Sequence, residues 1–270
     1  MRFLPILTAV ALAFSFGAPQ PGLADEPSPK APIEQVQNAP KFIEPTVPVY
    51  KPRKGSALRG RVDGGFRGGD KGEPVVKVLA PGDHIGFTIR KAPALYWYLS
   101  QTTTYPIEFT LVDNRRYQPE LQVSLKPPPC PGIQMVGLAD YNKTLEEEVQ
   151  YWWHIAVIVD PESRSKDIHS AGAIERIPYL DALVEGRTSC KDPLDVFCLY
   201  VESGLWYDAI QVISDLITGH PKDRVLRLMR ASLLEQVGLN DVADYDRMQN
   251  GTPCPARKAE ADTATASAQR

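Results

Sequence analysis

Histidine, cysteine, methionine and tryptophan are scarce in these 270 residues, at four each. The histidines, His84, His154, His169 and His220, include no i, i+4 pair and no HExxH, which leaves only a metal site assembled from distant segments. The cysteines, Cys130, Cys190, Cys198 and Cys254, form no CxxC and no Cys/His cluster at zinc spacing. A GxSxG elbow is missing, so an α/β-hydrolase is disfavoured. The one glycine-rich run lacks GxxxxGK followed by Ser or Thr, the phosphate-cradling pattern. Glu146, Glu147 and Glu148 are consecutive, not set apart across a cleft as glycoside cleavage requires. No catalytic residue, resident metal or cofactor is therefore expected. Positive charge is not in excess either: 30 Lys+Arg against 33 Asp+Glu give −3, which argues against a nucleic-acid partner. The hydrophobic share of 43% is that of a globular chain.

Beyond the N-terminus no apolar stretch is long enough to span a bilayer. At the N-terminus itself, Arg2 precedes an apolar run from Phe3 to Ala18, and Gly22 and Ala24 place small residues before a cut between Ala24 and Asp25. That order is the pattern of a cleavable signal peptide over residues 1–24, and it leads to a periplasmic or secreted bacterial protein without a transmembrane anchor after cleavage. An oxidising compartment permits disulfides. Four cysteines allow three complete connectivities. Cys190 and Cys198 are the candidate pair, one in a loop and the other on the helix that follows it.

Residues 25–73 are rich in Pro and Gly and read as a disordered linker. Lys51, Arg53, Lys54, Arg59, Arg61 and Arg67 make it a basic arm. Such an arm is a solvated tether or a contact for an anionic envelope polymer. Residues 74–178 hold eight short β segments, at 75–79, 84–89, 95–99, 107–112, 121–125, 133–138, 149–159 and 173–177, punctuated by Pro, Gly and Asp-Asn. Without crossover helices between them they predict an antiparallel β-sandwich of immunoglobulin-like character. Residues 179–250 switch to a helical period. Helices are expected over 193–203, from Trp206 to Ile217, along the stripe Val225, Met229, Leu233 and Val237, and over 240–248. Tyr200, Gly204, Trp206, Ala209 and Pro221 fall roughly where a tetratricopeptide hairpin places such residues. Residues 251–270 are polar and read as a disordered tail.

Several short stretches in order resemble a bacterial family, domain of unknown function 928. They are Ala92-Pro93-Ala94-Leu95-Tyr96-Trp97-Tyr98-Leu99, Glu108 to Asp113, Tyr151-Trp152-Trp153 leading into Asp160 to Ser165, Gly172 to Arg176, and Gly204-Leu205-Trp206-Tyr207-Asp208-Ala209. The resemblance covers roughly Gly60 to Leu239 and implies an exported protein with no activity attached.

Tyr96 and Tyr98 share one face of their strand and Trp97 the other; Tyr151 and Trp153 likewise oppose Trp152. One set must face the core. The other is expected to be covered by the helical segment; the alternative is an exposed platform of Tyr96, Tyr98, Tyr151 or Trp153 for sugar rings. The expected function is a non-enzymatic interaction or scaffold protein of the periplasm or envelope, with another envelope protein or an anionic envelope polymer as partner. A carbohydrate-binding module is the alternative, and an enzyme with an unfamiliar site the third reading.

Overall fold

The computed structural model describes residues 47–53, 60–64, 73–116, 118–179 and 188–249, all within one unit, Ile43–Arg270. Nine strands and four α-helices lie among them. The larger sheet runs β1 (Arg61–Gly64), β9 (Ile168–Arg176), β8 (Gln150–Val157), β5 (Ile107–Asp113) and β6 (Gln118–Leu125), with β3 (Gly86–Thr88) on the same side of β9 beyond β1. The smaller sheet runs β2 (Val76–Val78), β4 (Ala94–Leu99) and β7 (Gly132–Gly137). Pairing is antiparallel except for β3 on β9, which is parallel. All eight expected strands are present.

β5 and β8 alternate buried and half-buried residues, the mark of a sheet with one face in the core. Ile107, Phe109, Leu111, Trp153, Ile155 and Val157 fill that face. The two sheets meet there, and Ser170 of β9 joins them: its Oγ accepts the Val78 N–H at 3.0 Å and donates to Asp63 Oδ1 of β1 at 2.9 Å. β4 is buried at all six positions, which requires cover on both sides. Tyr96 and Tyr98 turn toward the helices, and alternation turns Leu95, Trp97 and Leu99 toward the larger sheet.

The helices are α1 (Pro193–Glu202), α2 (Trp206–Gly219), α3 (Arg224–Glu235) and α4 (Asn240–Met248), each packed on the next. Asp192 caps α1, accepting N–H groups of Leu194 and Asp195, and Pro193 occupies the first turn, where no N–H is needed. Gly204, at φ +72°, makes the sharp link from α1 to α2. On α3 the buried stripe is Leu226, Met229, Leu233 and Leu234, while Val225 is 40% exposed, so the stripe is rotated from the expected one. α2 docks on β3 and β4 through acceptors spaced along one face. Asp208 Oδ2 accepts the Ile89 N–H at 3.1 Å, Gln211 Oε1 the Ala94 N–H at 3.2 Å, and Asp215 Oδ1 the Tyr96 hydroxyl at 3.4 Å.

The linker expectation needs correction where the structure describes it. Residues 61–64 form β1, because the edge of β9 offers unpaired backbone groups to any extended segment. Tyr50 is buried, its ring 5.5 Å from His84 and 5.3 Å from Trp206. Its N–H donates to Gln236 Oε1 at 2.7 Å. Among the described residues no helix is long and apolar enough to cross a membrane. The signal segment 1–24, with Ala24 and Asp25, and the tail 251–270 lie outside the described residues.

Candidate functional site

The four aromatics proposed as a platform are all buried: Tyr96, Tyr98, Tyr151 and Trp153. This overturns the exposed platform and fits the expected cover. Trp153 Nε1 donates to the Tyr207 hydroxyl at 2.9 Å, and that hydroxyl donates to the Ala173 carbonyl at 2.9 Å. The hydroxyl of Tyr151 accepts the Glu146 N–H at 3.2 Å. The polar ends of Tyr96, Tyr151 and Trp153 thus have partners inside the fold, as burial of Tyr and Trp favours.

The basic arm is partly structural. Arg61 is nearly covered, donating to Asp63 at 2.9 Å and to the Ala80 carbonyl at 2.8 Å. Arg53 reaches the Ser203 carbonyl at 3.4 Å, and Lys51 is exposed. Lys54, Arg59 and Arg67 lie outside the described residues. Cys190 and Cys198 are not bridged. Asp195 binds back to the N–H groups of Lys191 and Asp192, so the chain reaches α1 in a fixed direction. Burial and nearby carboxylates push the Cys198 thiol pKa up. Cys130 is the described cysteine that does sit in a disulfide. Among the described residues no group of three His, Cys, Asp or Glu could hold a metal.

The structure brings together a different set. A cavity of about 440 Å³ opens between β4 and β7 on one side and α2, α3 and α4 on the other. Tyr96, Ile133 and Met135 supply its sheet side. Its helical side is charged. Arg230 donates Nε to Asp246 Oδ2 at 2.7 Å and Nη2 to Oδ1 at 2.8 Å, a bidentate pair, and Nη1 to Ser214 Oγ at 3.0 Å. Arg227 is one turn away. Its Nη2 donates to the Pro221 carbonyl at 3.1 Å, its Nη1 stands 3.7 Å from Asp246 Oδ1, and its Nε has no partner. Burial pulls the Arg227 pKa down against the pull of Asp246. Across the cavity, burial pushes the Asp215 pKa up while Arg90 and the Tyr96 hydroxyl hold it back. Tyr245 closes one end, its ring 5.1 Å from Tyr98 and its hydroxyl donating to the Pro131 carbonyl at 3.2 Å.

This arrangement can grip and orient a ligand: a fixed cation–carboxylate pair, a second cation held beside it, and an apolar floor. Sequence reasoning missed Arg227, Arg230 and Asp246. The available signal was the i, i+3 spacing of Arg224, Arg227 and Arg230 on an amphipathic helix, which places charge next to the apolar stripe. Of the candidate binding residues named from sequence, only Tyr96 lines the cavity.

A family model described as Domain of Unknown Function (DUF928) matches residues 56–246, from just ahead of β1 into α4. No curated protein matches the chain.

Proposed function

The chain belongs to the family of Domain of Unknown Function (DUF928), and on that premise we propose that it is an exported binding protein of the bacterial periplasm or envelope, which holds a partner without converting it. The observation that carries the proposal is the cavity between the smaller sheet and the helices. A concave, mostly apolar site with a few converging polar groups is the usual form of a ligand site. Its charged wall, assembled by Arg230, Asp246 and Ser214, is rigid before any partner arrives. The leader pattern at residues 1–24 supports export. The partner is an envelope component that presents an acidic group to this wall. With the proposal goes the finer reading of the fold, an immunoglobulin-like sandwich carrying a tetratricopeptide-type helical extension. Facing sheets and the serial packing of α1 to α4 support it.

The test is expression of the full chain in a bacterial host, with fractionation, N-terminal sequencing and cross-linking in intact cells. The expected product begins at Asp25, lies outside the cytoplasm and captures a defined envelope component. Retention of the uncut chain in the cytosol rejects export. Turnover by the purified product, abolished by one side-chain change, rejects holding without conversion.

A further inference from the structure

We infer that the cavity binds a small hydroxylated monocarboxylate, whose carboxylate docks on the Arg227 guanidinium. The inference rests on the reading of the cavity as a binding site and specifies its chemistry. Its origin is an imbalance between two neighbouring arginines. Arg230 uses Nε, Nη1 and Nη2 in hydrogen bonds. Arg227 is equally buried, with 7% of its side chain exposed, yet makes one hydrogen bond. A guanidinium carries five N–H donors, and a buried charge so poorly bonded is costly unless something else meets it. Asp246 meets it only in part: each of its oxygens accepts from Arg230, and Arg227 Nη1 stands 3.7 Å from Oδ1, an ion pair without a hydrogen bond.

Charge then sets the valence of the ligand. The whole lining is balanced, Arg227 and Arg230 against Asp246 and Asp215, but on the helical wall itself Arg227, Arg230 and Asp246 leave one positive charge beside Arg227, which one carboxylate meets. A dianion such as a phosphate monoester would bring its second charge toward Asp246 and toward Asp215 on the opposite wall. The planar fork of arginine also matches a carboxylate in bidentate fashion. Size and lining set the body. A volume of about 440 Å³ admits a molecule of small-metabolite size. Asp215 and the Tyr96 hydroxyl offer acceptors to ligand hydroxyls, and Ile133 and Met135 face its carbon skeleton.

Thermal unfolding of the exported chain in gluconate, glucuronate and lactate at constant ionic strength is the experiment, with sorbitol and inorganic phosphate alongside. Two variants accompany it. Arg227→Met keeps the bulk and removes the poorly bonded charge, so its ligand-free Tm stays equal or rises. Arg230→Met strands Asp246 and lowers Tm, which marks a structural arginine. At a hundredfold excess over Kd, at least one carboxylate raises the wild-type Tm on the order of 5 °C, and Arg227→Met loses that rise. The inference is overturned if no carboxylate raises Tm, if the rise survives in Arg227→Met, or if Arg227→Met unfolds as readily as Arg230→Met. A rise with sorbitol or phosphate equal to that with carboxylates also overturns it. That last result would leave the proposed binding role standing, whereas loss of a captured partner in intact cells would remove the role and not the site.

Discussion

Asp208 shows what a single buried group does to the whole. It lies in the first turn of α2, fully covered, with Oδ1 3.3 Å from Arg90 Nε and Oδ2 on the Ile89 N–H. Burial pushes its pKa up to about 6, against the pull of Arg90 and its hydrogen bonds. A carboxyl whose folded pKa exceeds its unfolded one stabilises the fold below the unfolded value and loses that stabilisation as pH rises through the folded value. The window is therefore about pH 4 to 6, and the effect is about 3 kcal/mol. His154 works the other way just below its ordinary pKa, because burial keeps it neutral in the fold. Asp113 acts at lower pH, since Arg115 holds its carboxyl below the usual range. Comparing wild type with Asp208→Asn isolates one group from these. The variant should flatten the fall in Tm between about pH 4 and pH 6 while leaving the acid limb intact. Parallel Tm–pH curves for the two proteins would contradict the assignment.

At the scale of elements, the join between α2 and the larger sheet depends on absent side chains. Gly86 of β3 faces the Tyr207 ring so closely that a Cβ would meet Tyr207 Cε2 at 2.6 Å and Trp206 Cδ1 at 3.3 Å. The Tyr207 ring cannot retreat, because its hydroxyl is bonded on both sides, to Trp153 and to Ala173. Gly86→Ala should cost about 1–3 kcal/mol by overpacking, read as a lower urea midpoint. Gly219, at the end of α2, has nothing within 4 Å of its would-be Cβ. Gly219→Ala should be neutral or stabilising by up to about 1 kcal/mol, since alanine favours the helix. Equal losses from the two changes would contradict the account. The elements themselves were legible in sequence, because period two and period 3.6 leave direct traces and Pro193, Gly204 and Gly238 mark the breaks. β1 was not legible. A four-residue Arg-Val-Asp-Gly strand has no pattern of its own, and what makes it a strand is the open edge of β9, over a hundred residues away. The cavity was hidden for a related reason. Arg227 and Arg230 look like the solvated side of α3, and only the packing of α4 across them encloses their charge.

For the molecule as a whole, the central layer is the smaller sheet, covered by the larger sheet on one face and the helices on the other. The segment ahead of β1 binds the outer layers to each other. Tyr50 packs against His84 from the β portion and Trp206 from α2, while its backbone and that of Pro48 are held by Gln236 beyond α3. His84 Nδ1 donates to Asp83 at 2.6 Å, and its Nε2 is hydrogen-bonded with the Tyr50 hydroxyl at 3.1 Å. Trp206 in turn donates Nε1 to the Leu79 carbonyl at 2.8 Å. One tyrosine therefore supports contacts from three separate parts of the chain. Tyr50→Phe keeps the ring and loses the hydroxyl, at about 1 kcal/mol. Tyr50→Ala empties the space between His84 and Trp206, at about 3–5 kcal/mol. If the segment were only a tether, neither change would move the unfolding midpoint. The expected result is a graded fall in that midpoint from wild type to Phe to Ala. With it should come faster limited proteolysis both near residue 50 and in the turn between α3 and α4, where Gln236 loses its partner. Cleavage confined to the N-terminal segment, with the helical turn still protected, would show that the helices hold their place without it.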